Sequence, residues 1–468
     1  MALFPSPPDS SDGGPRVMRR TEITRRGFLA ATVVGLAAGQ HPARSQDDPR
    51  PRVTDPRATD GDDAFEPNWD ERLTLTVGPD GKGADLAGRD DKVIQAALAH
   101  VARLGGGTVR LLPGTYTLRN AVFLPSRVRL IGSGPETILT KIPSRTVALA
   151  DDSDWYDREI TLEDARGFRV GDGVVLRAKN PDDGGQIVIK RTLVARSGNR
   201  FRLDSGLREN LWLTGKPSCT AMFPLLTAER TADVVIEDLT LEGDKTNNER
   251  LDGNYAGCIF LQDCNRFTIR RVTARRYNGD GISFQICHDV TVEDCHCHDN
   301  ADLGVHPGSG SQRPLIRGNR LERNSIGLFW CWGVRYGLAE RNRIEGNRDY
   351  GISIGHRDTD NVIRDNDVRD SGKVGLLFRD ESRGQDFWPN RNRVEANRIT
   401  DSGGEQGLAI DIQGRTHDLR ITRNVLCETR GAARRTGVRI APEARAIILI
   451  DNHFQGFATE VLDQRRSS

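Results

Sequence analysis

Residues 350–361 read YGISIGHRDTDN, a strand-like run that stops at Gly355 and then presents His356, Arg357, Asp358 and Asp360 within five positions. Imidazole exchanges protons near neutral pH, guanidinium neutralises a carboxylate or a developing negative charge, and aspartate serves as acid or base. His306, Arg379, Asp380, Glu381 and Asp411 supply the same types elsewhere in the chain. Two chemistries use such a set. Abstraction of a proton beside a carboxylate needs a base with cationic neighbours, for which His306 is the base or acid and Arg379, Arg357 and His356 neutralise or donate. Hydrolysis across a pair of carboxylates needs them about 5 to 10 Å apart, with Asp358, Asp380, Glu381 and Asp411 as candidates. A plain turn, with Arg357, Asp358 and Asp360 capping it and pairing with one another, would use the same residues for structure only.

These residues act together only if the fold brings them to one face. Glycine followed by an apolar residue recurs at positions 257, 281, 304, 327, 351, 375, 407 and 437, at intervals of 24, 23, 23, 24, 24, 32 and 30. Asparagines at 319, 342, 366, 397, 424 and 452 follow with the same drift. Two markers sharing one period define a coil of three short strands, the unit of a parallel β-solenoid. The asparagines are assigned to an internal ladder, in left-handed geometry at the corners. Counting from each glycine, the first and third residues face inward: Ile282 and Phe284, Leu328 and Trp330, Ile352 and Ile354, Leu376 and Phe378, Leu408 and Ile410, Val438 and Ile440. The residues between and beyond them face outward: Ser283 and Gln285, His306 and Gly308, Phe329 and Cys331, Ser353 and Gly355, Leu377 and Arg379, Ala409 and Asp411, then Arg439. With coils ~4.8 Å apart this is a stripe with His306, Arg379 and Asp411 as its reactive members, and residues 356–360 on its edge.

Upstream, residues 90–105 read as a helix with acidic N-terminal residues, apolar residues at helical spacing and a glycine stop. The segments GGGTVRLLPGTY and VRLIGSG follow. Together these resemble the N-terminal cap and first coils of the pectate-lyase-like right-handed parallel β-helix superfamily. The resemblance covers roughly residues 75–460 and implies an all-β solenoid with a capping helix. Residues 143–222 break the period and read as a small antiparallel insertion within a solenoid domain spanning 69–468. The superfamily acts mostly on polysaccharides. A lyase or C5-epimerase on uronic-acid glycans is the first reading, a glycoside hydrolase the second and a non-catalytic glycan-binding surface protein the third. The polygalacturonase motif set and the pectate-lyase aspartate and arginine signatures are not found in register. Phe329 and Trp332 are placed to stack on a sugar ring, and glycines 308, 310 and 355 to leave room for a ligand. Gln285, Ser309, Ser353 and Arg439 complete the expected contacts to a polysaccharide or oligosaccharide substrate. Lyases of this superfamily often use calcium, for which Asp280, Asp358 and Asp360 are candidates.

A net charge of +1 from 67 basic and 66 acidic residues argues against long-range attraction to nucleic acid or an anionic membrane. Thr24-Arg25-Arg26-Gly27-Phe28-Leu29 before a short apolar run resembles a twin-arginine export signal, assigned to residues 1–45. Residues 46–68 read as a disordered mature N-terminus. The mature protein is thus expected in the periplasm or outside the cell, without a membrane anchor. Of the eight cysteines, Cys264 and Cys287 fall one coil apart, where stacked thiols and a disulfide are both compatible. Cys295-His296-Cys297-His298 lacks a second ligand pair at zinc spacing and is assigned to the ladder.

Overall fold

The computed structural model describes residues 50–51, 68–405, 407–431 and 434–465. The export signal at 1–45 and, apart from residues 50, 51 and 68, the segment 46–68 lie outside the described residues.

Short runs of alternating apolar residues cannot bury their faces alone, and stacking one on the next satisfies both side chains and backbone. The chain accordingly winds into a right-handed parallel β-helix. One face is an 11-stranded parallel sheet running from Val122–Phe123 to Thr459–Asp463. The other two faces join in a 22-stranded sheet, because the strands Ala232–Glu242 and Asn265–Arg275 turn the corner between them unbroken. Ile282 and Phe284 from the first face, Val292 and Ile316 from the second, and Cys297 and Leu321 from the third close the interior.

At the corner before the third face, Asp294, Gly318, Arg341, Asp365, Ala396, Arg423 and Asp451 carry positive φ, and the residue after each of the last six is a ladder asparagine. The left-handed residue therefore precedes the asparagine and is not the asparagine itself, a correction to the expectation from sequence. This frees the amide to bond along the stack. Asn342 Oδ1 accepts from the backbone N–H and the side-chain amide of Asn319 at 3.0 and 2.9 Å, and the pattern repeats through Asn366, Asn397, Asn424 and Asn452. Two further ladders, Asn300–Asn324–Asn347 and Asn361–Asn392, stand at the other corners. Outside one corner, left-handed aspartates and arginines alternate on either side of Tyr336, pairing Arg266 with Asp233 (2.5 Å), Arg313 with Asp289 (2.8 Å) and Arg391 with Asp360 (2.8 Å).

The register corrects two positions of the glycine series. Gly257 pairs with Asp280, so Cys258 takes the glycine place in that coil. Leu376 pairs with Ile410 and Leu377 with Asp411, so Ala409 takes it in the coil after Gly375, and the inward pair there is Ile410 and Ile412. Leu408 instead packs with Val374 and Leu377 in a small satellite cluster. The offset between these coils is 31 residues at Arg369 and Thr400 and 34 at Leu376 and Ile410, so extra residues in the turn after Thr400 shifted the count.

Helix Asp91–Arg103 covers the first coil, with Asp90 Oδ1 capping the N–H groups of Lys92 and Val93 and Ile94, Ala97, Leu98 and Val101 buried. Thr146 to Ala221 form a six-stranded antiparallel sheet with its own core of Phe168, Leu176 and Phe201. All eight cysteines are free and buried, so Cys264 and Cys287 are stacked thiols. Among the described residues no helix is long and apolar enough to cross a membrane.

Lys141 is fully enclosed beside the rings of Phe223 and Tyr277, its Nζ donating to Phe223 O at 3.0 Å. Burial pushes its ammonium down to about 7. An unfolded lysine titrates at about 10.4. Between those values the unfolded chain binds the extra proton, so this group makes stability rise with pH through that window. Tyr277 also donates to Phe223 O, so Lys141→Met leaves that carbonyl bonded. Thermal unfolding of Lys141→Met should occur at a higher temperature than wild type near neutral and below, with the gap narrowing as pH rises towards the unfolded value.

Candidate active site

The outward positions of the 11-stranded sheet form one column: Phe260, Ser283, His306, Phe329, Ser353, Leu377, Asp411 and Arg439, paired rung by rung. Two polar clusters flank Phe329 on this column.

His306 Nδ1 lies 2.9 Å from Asp280 Oδ2 and 3.3 Å from Ser283 Oγ. Ser283 Oγ donates to Gly253 O at 2.6 Å and Gln285 Nε2 donates to Ser283, so the serine is fixed from two sides. Asp280 is fully buried and its other oxygen accepts from the Leu303 N–H. Burial raises the Asp280 carboxyl, although the His306 hydrogen bond and charge oppose this. A carboxylate at Nδ1 places the ring proton there and leaves Nε2 as the basic atom. Nε2 has no hydrogen-bond partner among the described residues. A Cβ at Gly253 would fall 1.6 Å from Asp280 Oδ2, so the dyad depends on that glycine.

Beyond Phe329, whose ring centre is 5.2 Å from that of His306, the Arg379 guanidinium lies 4.4 Å over the same ring. Arg379 donates to Ser353 Oγ (2.6 Å), Trp330 O (2.8 Å), His356 Nδ1 (3.2 Å) and Glu381 Oε1 (3.3 Å). Four of its five donors are thereby engaged and one remains. Glu381 also binds Arg383 at 2.9 Å and His356 Nε2 at 3.0 Å. Asp358 is fully buried, accepting from the N–H groups of Gly333, Val334 and Gly355. Burial holds it up to about 7 even so. Two arginines face Glu381, and near neutrality Asp358 is divided between its charged and neutral forms.

Several expectations from sequence change here. Asp280 binds an imidazole and Asp360 binds Arg391, so neither is arranged for calcium. Asp411 is held by Arg439 through both oxygens, at 2.8 and 2.6 Å, and by Gln413, which removes it from acid–base work and occupies Arg439. Asp380 accepts from the Trp388 indole at 2.8 Å, an anchor for the loop. His356 does not supply positive charge: burial first, then Arg379, Arg383 and Arg357, push it down to about 3. It is a neutral spacer stacked under the half-exposed Trp332 at 4.8 Å. Arg357 turns away and covers Phe387. The space expected at Gly308 is filled by Gln285 and that at Gly355 by Arg379. Ser309 is in the left-handed turn that follows the His306 strand, its N–H bonded to Cys331 O. Ser353 serves as the acceptor for Arg379. Arg383 and Gly253 were not singled out from sequence, since both lie in loops without coil register.

Asp358→Asn presents an amide N–H to a cradle of N–H donors. We expect it to lower stability by about 2 kcal/mol in denaturant titration.

Residues 257–426 match the family model for "Right handed beta helix region", and residues 147–329 match the model for "Periplasmic copper-binding protein (NosD)". No curated protein matches the chain. Among solved structures, the A-module of the Azotobacter vinelandii mannuronan C-5 epimerase AlgE6 aligns at 14% identity over 80% of this chain and 91% of its own, with a TM-score of 0.49. The alginate lyase of Paenibacillus sp. strain FPU-7 aligns at 11% identity over 82% and 99%, with a TM-score of 0.44. The Streptococcus pneumoniae surface protein and adhesin PfbA aligns at 14% identity over 80% and 95%, with a TM-score of 0.47. At such identity the likeness concerns the fold alone. The residues do not fit a copper site: among those described, no three His, Cys, Asp or Glu side chains converge to hold a metal ion. His296 and His298 are held by Glu322 and Asp299, with the thiols of Cys295 and Cys297 buried behind them.

Proposed function

We propose that the chain is a polysaccharide-active enzyme of the periplasm or cell exterior that abstracts the proton beside the carboxylate of a uronic-acid unit, as a lyase or C5-epimerase. The observation that carries this reading is the His306–Asp280 dyad, which leaves Nε2 as the basic ring atom on the outward column beside the Arg379 guanidinium. His306 Nε2 takes the C5 proton while the positive field around Arg379, with its one remaining N–H, stabilises the charge that spreads onto the carboxylate. In elimination the C4–O bond then breaks, a C4–C5 double bond forms, and the departing oxygen is protonated by the imidazolium or by water. In epimerisation water delivers a proton to the opposite face of C5, and the imidazolium gives its own to solvent. Both begin with the same step, and Phe329 would pack against the sugar. Hydrolysis is less well served, because Asp411 and Glu381 are ion-paired, Asp358 is enclosed and Asp380 is tied to Trp388.

The test uses the purified protein with a panel of uronic-acid polysaccharides, following ultraviolet absorbance of unsaturated ends together with reducing ends. Absorbance and reducing ends rising together mark elimination, and a changed C5 configuration by NMR without either marks epimerisation. His306→Ala should abolish activity. Asp280→Asn should reduce it by at least ~100-fold, because its amide donates to Nδ1, moves the ring proton to Nε2 and removes the base. Reducing ends without unsaturation, or activity that survives His306→Ala, would overturn the reading.

A further inference from the structure

A cleft of about 560 Å³ separates the antiparallel insertion from the first coils. Its floor, Phe123 and Thr227, lies on the column of the candidate site, with the buried Phe260 and Ser283 as the rungs between it and His306. Its opposite wall carries Lys190, Arg191 and Arg208.

These cations differ from the arginines of the outer corner. The arginines of the outer corner are met by aspartates, whereas Lys190, Arg191 and Arg208 form no ion pair among the described residues. Lys190 Nζ sits 3.9 Å over the Phe260 ring and donates to Tyr255 O at 2.7 Å, which leaves two of its three N–H groups. Arg191 spends its terminal nitrogens on the carbonyls of Lys190, Gly206 and Leu207, and its buried Nε has no partner. Of the three carboxylates that line the cleft, Glu229 is directed to Arg230, Asp204 to the Thr192 N–H, and Glu209 is exposed. Burial pushes Lys190 down to about 8, a cost that an anion in the cleft would offset.

We infer that this cleft is a second saccharide subsite, taking an acidic sugar unit remote from the reacting one, with Lys190 recognising its carboxylate. The inference rests on reading the His306 column as a glycan groove. Phe260 and His306 are two rungs apart, ~10 Å at the spacing of parallel strands, so only an oligomer extending beyond the reacting unit reaches Lys190. The insertion thereby acts as a clamp that selects long acidic chains.

The experiment is calorimetric titration of oligogalacturonates and oligomannuronates of graded length into the His306→Ala protein, with neutral malto-oligosaccharides as controls. Adding Lys190→Met should weaken the longer acidic oligomers about tenfold and leave the shortest unchanged. Adding Lys190→Arg, which retains the cation, should restore most of the loss. Equal affinities at every length, or no binding of either acidic series, would overturn the subsite. Turnover by the otherwise unaltered chain is the separate readout. An inactive protein whose affinity still depends on Lys190 keeps the cleft and removes the proposed reaction, whereas an active one without length-dependent loss in Lys190→Met keeps the reaction and removes the cleft.

Discussion

Within the long ladder, asparagines such as Asn342 and Asn366 offer an amide oxygen to two N–H groups of the coil before and send their own N–H groups both to the next amide and to a backbone carbonyl of the coil before. A buried donor or acceptor left without a partner costs about 1–3 kcal/mol, so a coil that slips loses several such bonds at once. Because side chains alternate along a strand, a slip of one residue would also turn the apolar set outward. The ladders therefore do more than hold the coils together. They fix which outward residue meets which, and the juxtaposition of Ser283, His306, Phe329 and Ser353 is a direct result.

Phe329 separates two electrostatic environments on that column. On one side a buried carboxylate orients an imidazole, and on the other a guanidinium is spread over the ring face and tied to Glu381. A cation over an aromatic face is favourable by about 0.5–2 kcal/mol, which helps keep Arg379 extended across the ring instead of folding back into its carboxylates. His306 and Arg379 remain close without pairing with each other's partners. Charge is thus arranged before any ligand arrives.

The period, the capping helix and the inward or outward sense of most strands were legible in the sequence because each follows from local alternation repeated in every coil. What could not be read were contacts that leave the coil register. Asp280 meets His306 from the start of the preceding strand, and its position suggested a metal ligand only because a lone buried aspartate carries no mark of its partner. His356 and Arg357 looked like a charged pair, yet one is neutralised by burial and neighbouring arginines while the other turns to Phe387. The count failed at Gly407 because the turn after Thr400 carries extra residues that no period marks. The cleft beside Lys190 arises where the insertion folds back over the first coils, a long-range contact that no local pattern encodes.

The alternation of left-handed aspartate and arginine along the outer corner also bears on how such a chain can lengthen. Asp233, Arg266, Asp289 and Arg313 occupy successive coils, each set against the opposite charge. Excising the single coil that carries Arg266 would stack Asp233 on Asp289, and duplicating it would stack arginine on arginine, both unfavourable at the spacing of neighbouring strands. Removing or copying two coils together preserves the order of signs. Over those four coils, changes in steps of two keep opposite charges stacked and changes of one do not.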